Sequence, residues 1–373
     1  MTDFHLSVDG DRSILQSPRA SHNRWHPDIE PALRISPGDR VSVGTRDSFD
    51  GQILPHETTV EDFSRISIAR AHPLTGPIYI DEAEPGDLLA IKIEAVVPAK
   101  YGFTAIFPGF GFLRDQFPNP HLIHWEFAGG FAVSPQLPGV RIPAAPFMGV
   151  MGLAPSHALM KLIQAREQEL QRRGGIVFAP DPHEAVPATA NVASDGLRTI
   201  APHETGGNMD IKQLTAGTTL YLPVSVRGGL FSTGDAHFAQ GDGESCGTAI
   251  ETSATLVAVF DVLKGEAARR KQNDPSFCGP CDTGRPGVNR GYYVTTGIPV
   301  HRDGNRNECE DLTLAARNAL INMIGYLTDN HGLTREQAYC VASVAADLRI
   351  SQVVDVPNVT VSVFLPLDIF DGA

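Results

Sequence analysis

Four side chains that can ligate or transfer protons fall within ten residues, in Gly234-Asp235-Ala236-His237 and the following Gln240-Gly241-Asp242-Gly243-Glu244. Side chains alternate along a strand, so Asp235 and His237 project from one face. That spacing suits two ligands of one metal ion, or a carboxylate and the imidazole it orients. Upstream, Pro202-His203-Glu204-Thr205-Gly206-Gly207-Asn208-Met209-Asp210 adds a second imidazole, an amide and two more carboxylates. Nine glycines lie between 206 and 247, where the chain average of 36 in 373 would place about four. Glycine weakens strands and clustered acids repel, so this composition is a poor way to build a plain sheet. A divalent cation or a protonated carboxyl would relieve the repulsion; a solvated acidic loop is the alternative.

The elements that must hold these groups read as strands. Thr218 to Val226 alternates, Gly228-Gly229 supplies a turn, and Leu230 to His237 returns, which predicts a hairpin. In the next strand Ile250, Ala254, Leu256, Ala258 and Phe260 share one parity. Glu251 takes the other, facing solvent or a polar pocket. Leu89, Ile91, Ile93, Ala95 and Val97 alternate with Ala90, Lys92 and Glu94 as a half-buried strand, and Arg40 to Val43, Ile78 to Ile80 and Asn358 to Phe364 read as further strands. The stretch 101–157, rich in Phe, Gly and Pro, reads as loops crossing an apolar surface. Helices are predicted over Leu159 to Arg173, over Leu312 to Leu327 with a stop at Gly332, and after the capping box Thr334-Arg335-Glu336-Gln337. The polar, Pro-rich stretch 175–200 reads as a linker or surface insertion. The organisation expected is a β-rich region over 1–157, a helical insertion and linker over 158–200, and a site-bearing region of strands and helices over 201–373.

Composition narrows the function classes. Thirty basic against 43 acidic residues give a net charge of −13, which argues against a polyanion such as nucleic acid as partner. No apolar run reaches transmembrane length, and Met1-Thr2-Asp3-Phe4-His5 lacks a basic and apolar leader, so a soluble, cytoplasmic protein is expected. Five dispersed cysteines do not form a secreted disulfide framework. Cys278-Gly279-Pro280-Cys281 has redox-dithiol spacing but no second pair or strand-to-helix context, and is read as structural or incidental; Cys246 is read as packing. With 36 Gly and 28 Pro among few aromatics, a turn-rich β protein is the leading class.

In these segments the chain resembles the acetamidase/formamidase family, over most of its length. The resemblance is carried by Gly206-Gly207-Asn208-Met209-Asp210, Leu222-Pro223-Val224, Gly234-Asp235-Ala236-His237, Gln240-Gly241-Asp242-Gly243-Glu244 and Gly247-Thr248-Ala249-Ile250-Glu251. Asp47-Ser48-Phe49-Asp50-Gly51-Gln52-Ile53, Pro73-Leu74-Thr75-Gly76-Pro77, Ala83-Glu84-Pro85-Gly86-Asp87, Glu336-Gln337-Ala338-Tyr339 and Ser351-Gln352-Val353-Val354-Asp355 flank them. It implies a mainly β fold with jelly-roll-like sandwich parts and α/β decoration. It also implies hydrolysis of the carbon–nitrogen bond of short linear amides to carboxylate and ammonia. Residues 158–195 depart from compact members by being longer and more charged, which bears on which acyl group fits.

An unactivated amide demands a strong nucleophile, a stabilised oxyanion and a proton for the departing nitrogen. The expected mechanism is therefore metal-assisted, with Asp210, Asp235 and His237 holding a divalent ion, zinc, and Asp47 as a further ligand. Glu244 and Glu251 are expected to pass protons, Asn208 to stabilise the oxyanion, and His203, Gly206, Gly207 and Gln240 to line the substrate. The alternatives are a non-enzymatic jelly-roll module with a structural calcium ion, and a hydrolase of a larger or cyclic amide. A homo-oligomer is expected, because exposed sheet edges favour association.

Overall fold

The computed structural model describes residues 2–10, 12–280 and 291–370. Strands dominate, in two large sheets. The first has nine strands, in the order Asp3–Leu6, Arg40–Thr45, Ala254–Leu263, Leu88–Pro98, Thr219–Pro223, Ser276–Gly279, Tyr292–Gly297, Thr360–Pro366 and Asp347–Gln352. The second has eleven, and its centre is Tyr101–Ile106, Glu251–Thr252, Phe231–His237, Phe147–Leu153 and Gly206–Asn208, with Leu74–Ile80 also paired to Phe231–His237. Both sheets draw strands from either side of residues 158–200.

The sheets face each other across one core, where Ile91, Leu256 and Phe260 of the first meet Ile78, Met151 and Phe231 of the second. Burial of this apolar surface is the main force joining them. The first sheet is covered on its outer face by helices Leu312–His331 and Arg335–Ala345, whose Ala315, Ala319, Met323 and Ala342 pack on Val361 and Val363. Strand Thr360–Pro366 is therefore buried on both faces, its valines toward the helices and Phe364 toward the sandwich. Gly297 lets the helix lie this close, since a Cβ there would strike Ala319 and Ala315 backbone atoms. Both helices are bounded as their caps predict: Gly332 is left-handed, and Thr334 and Gln337 form the reciprocal capping box. Among the described residues no helix is long and apolar enough to cross a membrane.

Four local expectations are corrected. The hairpin does not form: Thr219–Pro223 pairs with Leu88–Pro98 and Ser276–Gly279 in one sheet, while Phe231–His237 belongs to the other. Seven residues separate the strands, enough to cross between layers rather than close a tight turn. The alternation in Leu88–Pro98 changes phase, so that Val96 is buried and Val97 is 56% exposed. Opposite it, Val257 pairs with Ala95 but Ala258 with Ile93, a bulge that leaves Glu94 extra and turns the following side chains over. The stretch 101–157 holds five strands, Tyr101–Ile106, His121–Ala128, Phe131–Val133, Arg141–Pro143 and Phe147–Leu153. The last is buried on both faces and so shows no period-two signal. Finally, residues 175–200 pack into the body: Val186, Val192 and Leu197 are buried, and the carbonyls of Asp181 and His183 accept from the buried Arg24 guanidinium. Cys278 lies on Ser276–Gly279, whereas Cys281, and with it the proposed pair, falls outside the described residues.

Candidate active site

At the centre of the second sheet, strand Phe231–His237 carries Asp235 and His237 inward on one face, as their spacing requires. Asp210 arrives just after Gly206–Asn208, Glu244 from the turn beyond His237, Glu251 from Glu251–Thr252, and Asp355 from the segment before Thr360–Pro366. All six side chains are buried, none more than 7% exposed. His237 Nε2 lies 3.3 Å from Glu251 Oε2, 3.5 Å from Asp235 Oδ1 and 3.9 Å from Glu244 Oε1, and Nδ1 lies 3.8 Å from Asp210 Oδ1. Asp210, Asp235 and Glu244 adopt φ of 46°, 54° and 47°, a left-handed conformation that non-glycine residues rarely accept. Three such positions in one cluster mark a site whose surroundings impose the geometry.

Gly149 makes room for the cluster. It sits between Met148 and Val150, which pair with Ala236 and Gly234. A Cβ there would lie 2.8 Å from Asp235 Oδ2 and closer still to Asp210 Oδ1.

Gln240 fixes the imidazole. Its Nε2 donates to the carbonyl of Asp210 (2.8 Å), which leaves Oε1 facing His237 Nδ1 at 2.9 Å. Nδ1 therefore carries a proton, and Nε2 is presented to the carboxylates. Gln240, expected to line the substrate, hydrogen-bonds His237 and the Asp210 carbonyl and is not among the residues lining the cleft at the cluster.

The charge balance is unusual. Burial raises the Asp210 and Glu251 carboxyls, and burial together with the Asp210 charge raises Glu244 and Asp355 well above the ordinary range. Burial opposes ionisation of Asp235 too, yet His72 and His237 hold it below that range. For His237 burial favours the neutral ring, but Glu251 and Asp235 outweigh it and lift the imidazole well above its usual value. Five buried carboxyls thus face two imidazoles, and the surplus negative charge needs either protons or a cation.

The donor atoms fit a cation. Asp210 Oδ1, His237 Nε2, Glu251 Oε2 and Asp355 Oδ2 are all buried with no hydrogen-bond partner. The ligand atoms of Asp210, His237 and Glu244, and of Asp235, His237 and Glu251, lie within 4.8 Å of one another in each trio. Mixed oxygen and imidazole donors suit zinc and similar borderline ions.

The cluster opens into a cleft of about 30 Å³, lined by Asn208, His72 and Ser48 and closed by Phe49, Phe107 and Phe110. Asn208 Nδ2 donates to the Ile200 carbonyl at 3.0 Å, which leaves Oδ1 unpartnered at the cleft. Other expected residues lie elsewhere. Asp47 Oδ1 accepts from Phe49 and Gly51 backbone N–H groups, organising the loop behind Phe49, and Asp47 is in neither ligand trio. His203 is buried against Glu167, 3.6 Å away, with burial and the Arg166 charge pushing its ring down to about 3. Gly206 and Gly207, at φ of 91° and 109°, let the backbone pair tightly with Met151 and Gly152. Asp355 and His72 were not singled out by spacing. Asp355 stands in a resembling motif, Ser351 to Asp355, but more than a hundred residues from its partners.

The sequence pattern of the Acetamidase/Formamidase family matches residues 7–372. The chain is 35% identical to the acetamidase of Mycolicibacterium smegmatis over 91% of its own length and 89% of that protein. It is 33% identical to the formamidase of Methylophilus methylotrophus, over 98% and 93%. Among solved structures it superposes on the gamma lactamase from Delftia acidovorans with a TM-score of 0.72 and 32% identity, covering 99% of this chain and 94% of that one. On sequence pattern, relatives and fold together, the chain belongs to the acetamidase/formamidase family.

Proposed function

We propose that this protein hydrolyses short amides to carboxylate and ammonia at the buried cluster, with a divalent ion, zinc, held by Asp210, Asp235 and His237, and with Glu244 and Glu251 beside it as the proton-transferring groups. The observation that carries the proposal is the set of unpartnered buried atoms Asp210 Oδ1, His237 Nε2, Glu251 Oε2 and Asp355 Oδ2, whose three carboxyls line one small cleft. When bound, such an ion polarises a carbonyl and makes water a stronger nucleophile. The protein's own groups do the rest. Gln240 holds His237 in the tautomer that points Nε2 inward. Glu244 and Glu251 flank the cleft and are placed to take a proton from water and return it to the departing nitrogen. Asn208 Oδ1 is an acceptor, so it is suited to the substrate N–H rather than to an oxyanion. Phe49, Phe107 and Phe110 exclude bulk water, and the cleft, with room for about two water-sized molecules, favours a small acyl group.

A cyclic amide is the second reading, favoured by the likeness to a gamma lactamase. Ammonia release from formamide, acetamide and propionamide, set beside ring opening of a γ-lactam, separates the two. Loss of turnover and bound metal together in His237→Ala is expected. Full turnover in protein freed of metal would overturn the role of the ion, and no reaction with any amide would favour a non-enzymatic module. We further propose a cytoplasmic homo-oligomer; the four free cysteines among the described residues fit a reducing compartment.

A further inference from the structure

A second group of metal-ligating side chains lies outside the catalytic cluster. His26 and Asp28 follow strand Arg24–Trp25, and His157 opens helix His157–Arg172. Their ligand atoms lie within 4.8 Å of one another. His157 Nε2 is 2.9 Å from Asp28 Oδ1, and His26 Nδ1 is 3.9 Å from Asp28 Oδ2. Donors on a tetrahedral zinc ion stand roughly 3.3–3.6 Å apart, a value these two separations bracket.

Three features distinguish this group from a chance surface pair. The His26 side chain is 2% exposed, and its Nδ1 accepts from the Asp28 backbone N–H at 3.1 Å, so that nitrogen carries no proton and its lone pair already faces Asp28. The Asp28 carboxylate is steadied by Asn191 Nδ2 at 2.9 Å, from the separate helix Ala190–Asp195, as outer partners steady metal-bound carboxylates. Asp28 and His157 are 44% and 57% exposed, which gives an ion an entry path and leaves a position for water.

We propose that His26, Asp28 and His157 form a second site for a borderline divalent cation such as zinc. The ion replaces the Asp28 N–H as partner of His26 Nδ1 and ties segment 26–28 to the first turn of the helix. That helix carries Arg166, paired with Glu204, and Glu167, beside His203. The segment they hold leads directly to Asn208 and Asp210, so the clamp braces the scaffold of the catalytic cluster from outside it.

The test is a count of bound zinc. Protein stripped by chelator, reloaded with zinc and freed of excess by gel filtration is compared as wild type, His157→Ala and Asp28→Asn. Each variant is expected to retain one equivalent fewer than wild type, and cobalt-loaded variants to lose one component of the visible absorption. The measure is a difference, so it reads the same whether or not the catalytic cluster holds an ion. Both substituted residues are solvent-facing, and far-ultraviolet circular dichroism verifies that the variants are folded. Equal zinc content in wild type and variants overturns the proposal, as does an equal loss in His183→Ala, which removes an exposed histidine elsewhere.

Discussion

Replacing Gly149 by alanine tests whether the spacing of the buried carboxyls is what the site depends on. Gly149 is not among the positive-φ glycines, so alanine meets no left-handed strain there and the effect is chiefly steric. The added methyl would stand 2.8 Å from Asp235 Oδ2 and 2.9 Å from the Asp235 carbonyl, and still nearer to Asp210 Oδ1. Restoring normal contact requires Asp210 and Asp235 to move apart by a distance on the order of 0.5–1 Å, a displacement that can cost about 100-fold in rate at a positioned site. Overpacking of a rigid interior adds a stability loss of about 1–3 kcal/mol. The assay is kcat on formamide and acetamide at a temperature well below the unfolding midpoint, with bound metal and Tm measured on the same sample. The expected result is a large fall in kcat and metal content with a modest fall in Tm. Turnover within about threefold of wild type, with full metal content, would refute the view that these carboxyls act only at this separation. Gly325→Ala is the control: nothing lies within 4 Å of its Cβ, and alanine in helix Leu312–His331 should stabilise by about 0.5–1 kcal/mol.

Two further outcomes follow from groups around the cluster. Gln240→Leu frees His237 Nδ1 from its acceptor, and zinc affinity should fall by about 10–100-fold, read by competition with a chromogenic chelator; an unchanged affinity would remove Gln240 from the positioning role. Glu167 is raised by burial to about 8 from an ordinary 4.5. The folded state therefore holds a proton that the unfolded chain releases. The stability due to this neutral carboxyl is full below about pH 4.5 and is lost as the pH rises through about 8. Glu167→Gln should flatten the fall in Tm across that window, and superimposable curves for variant and wild type would contradict the assignment.

Much of the fold was legible where neighbours in sequence are neighbours in space. The helix ending at Gly332, the Thr334–Gln337 capping box and the alternation from Leu89 to Ile93 each depend on a few consecutive residues. Phe147–Leu153 was not legible, because burial on both faces erases the alternation that announces a strand. The hairpin failed for a related reason: alternation marks Thr219–Pro223 and Phe231–His237 as strands but says nothing of which sheet each joins. At the site, Asp210, Asp235 and His237 do meet, as do Glu244 and Glu251. His203 and Gln240 differ from expectation because a side chain's role is set by what surrounds it. His203 was drawn to Glu167 on a helix, and Gln240 was fixed by the carbonyl of Asp210.

By itself, then, the sequence determined a mainly β chain of this family and placed Asp235 and His237 on one face, because backbone geometry sets a strand's period within a few residues. Only the tertiary structure decided that Asp355 joins Asp210 from the far end of the chain, that Gly149 leaves the space they occupy, and that Gln240 turns His237 Nε2 inward. Those contacts arise where the sheets pack and the segments after their strands converge, and apolar burial over the whole core enforces them. The same burial makes uncompensated carboxylates costly, which is why a composition rich in acids and glycines resolves into a buried cluster whose surplus charge needs protons or a cation.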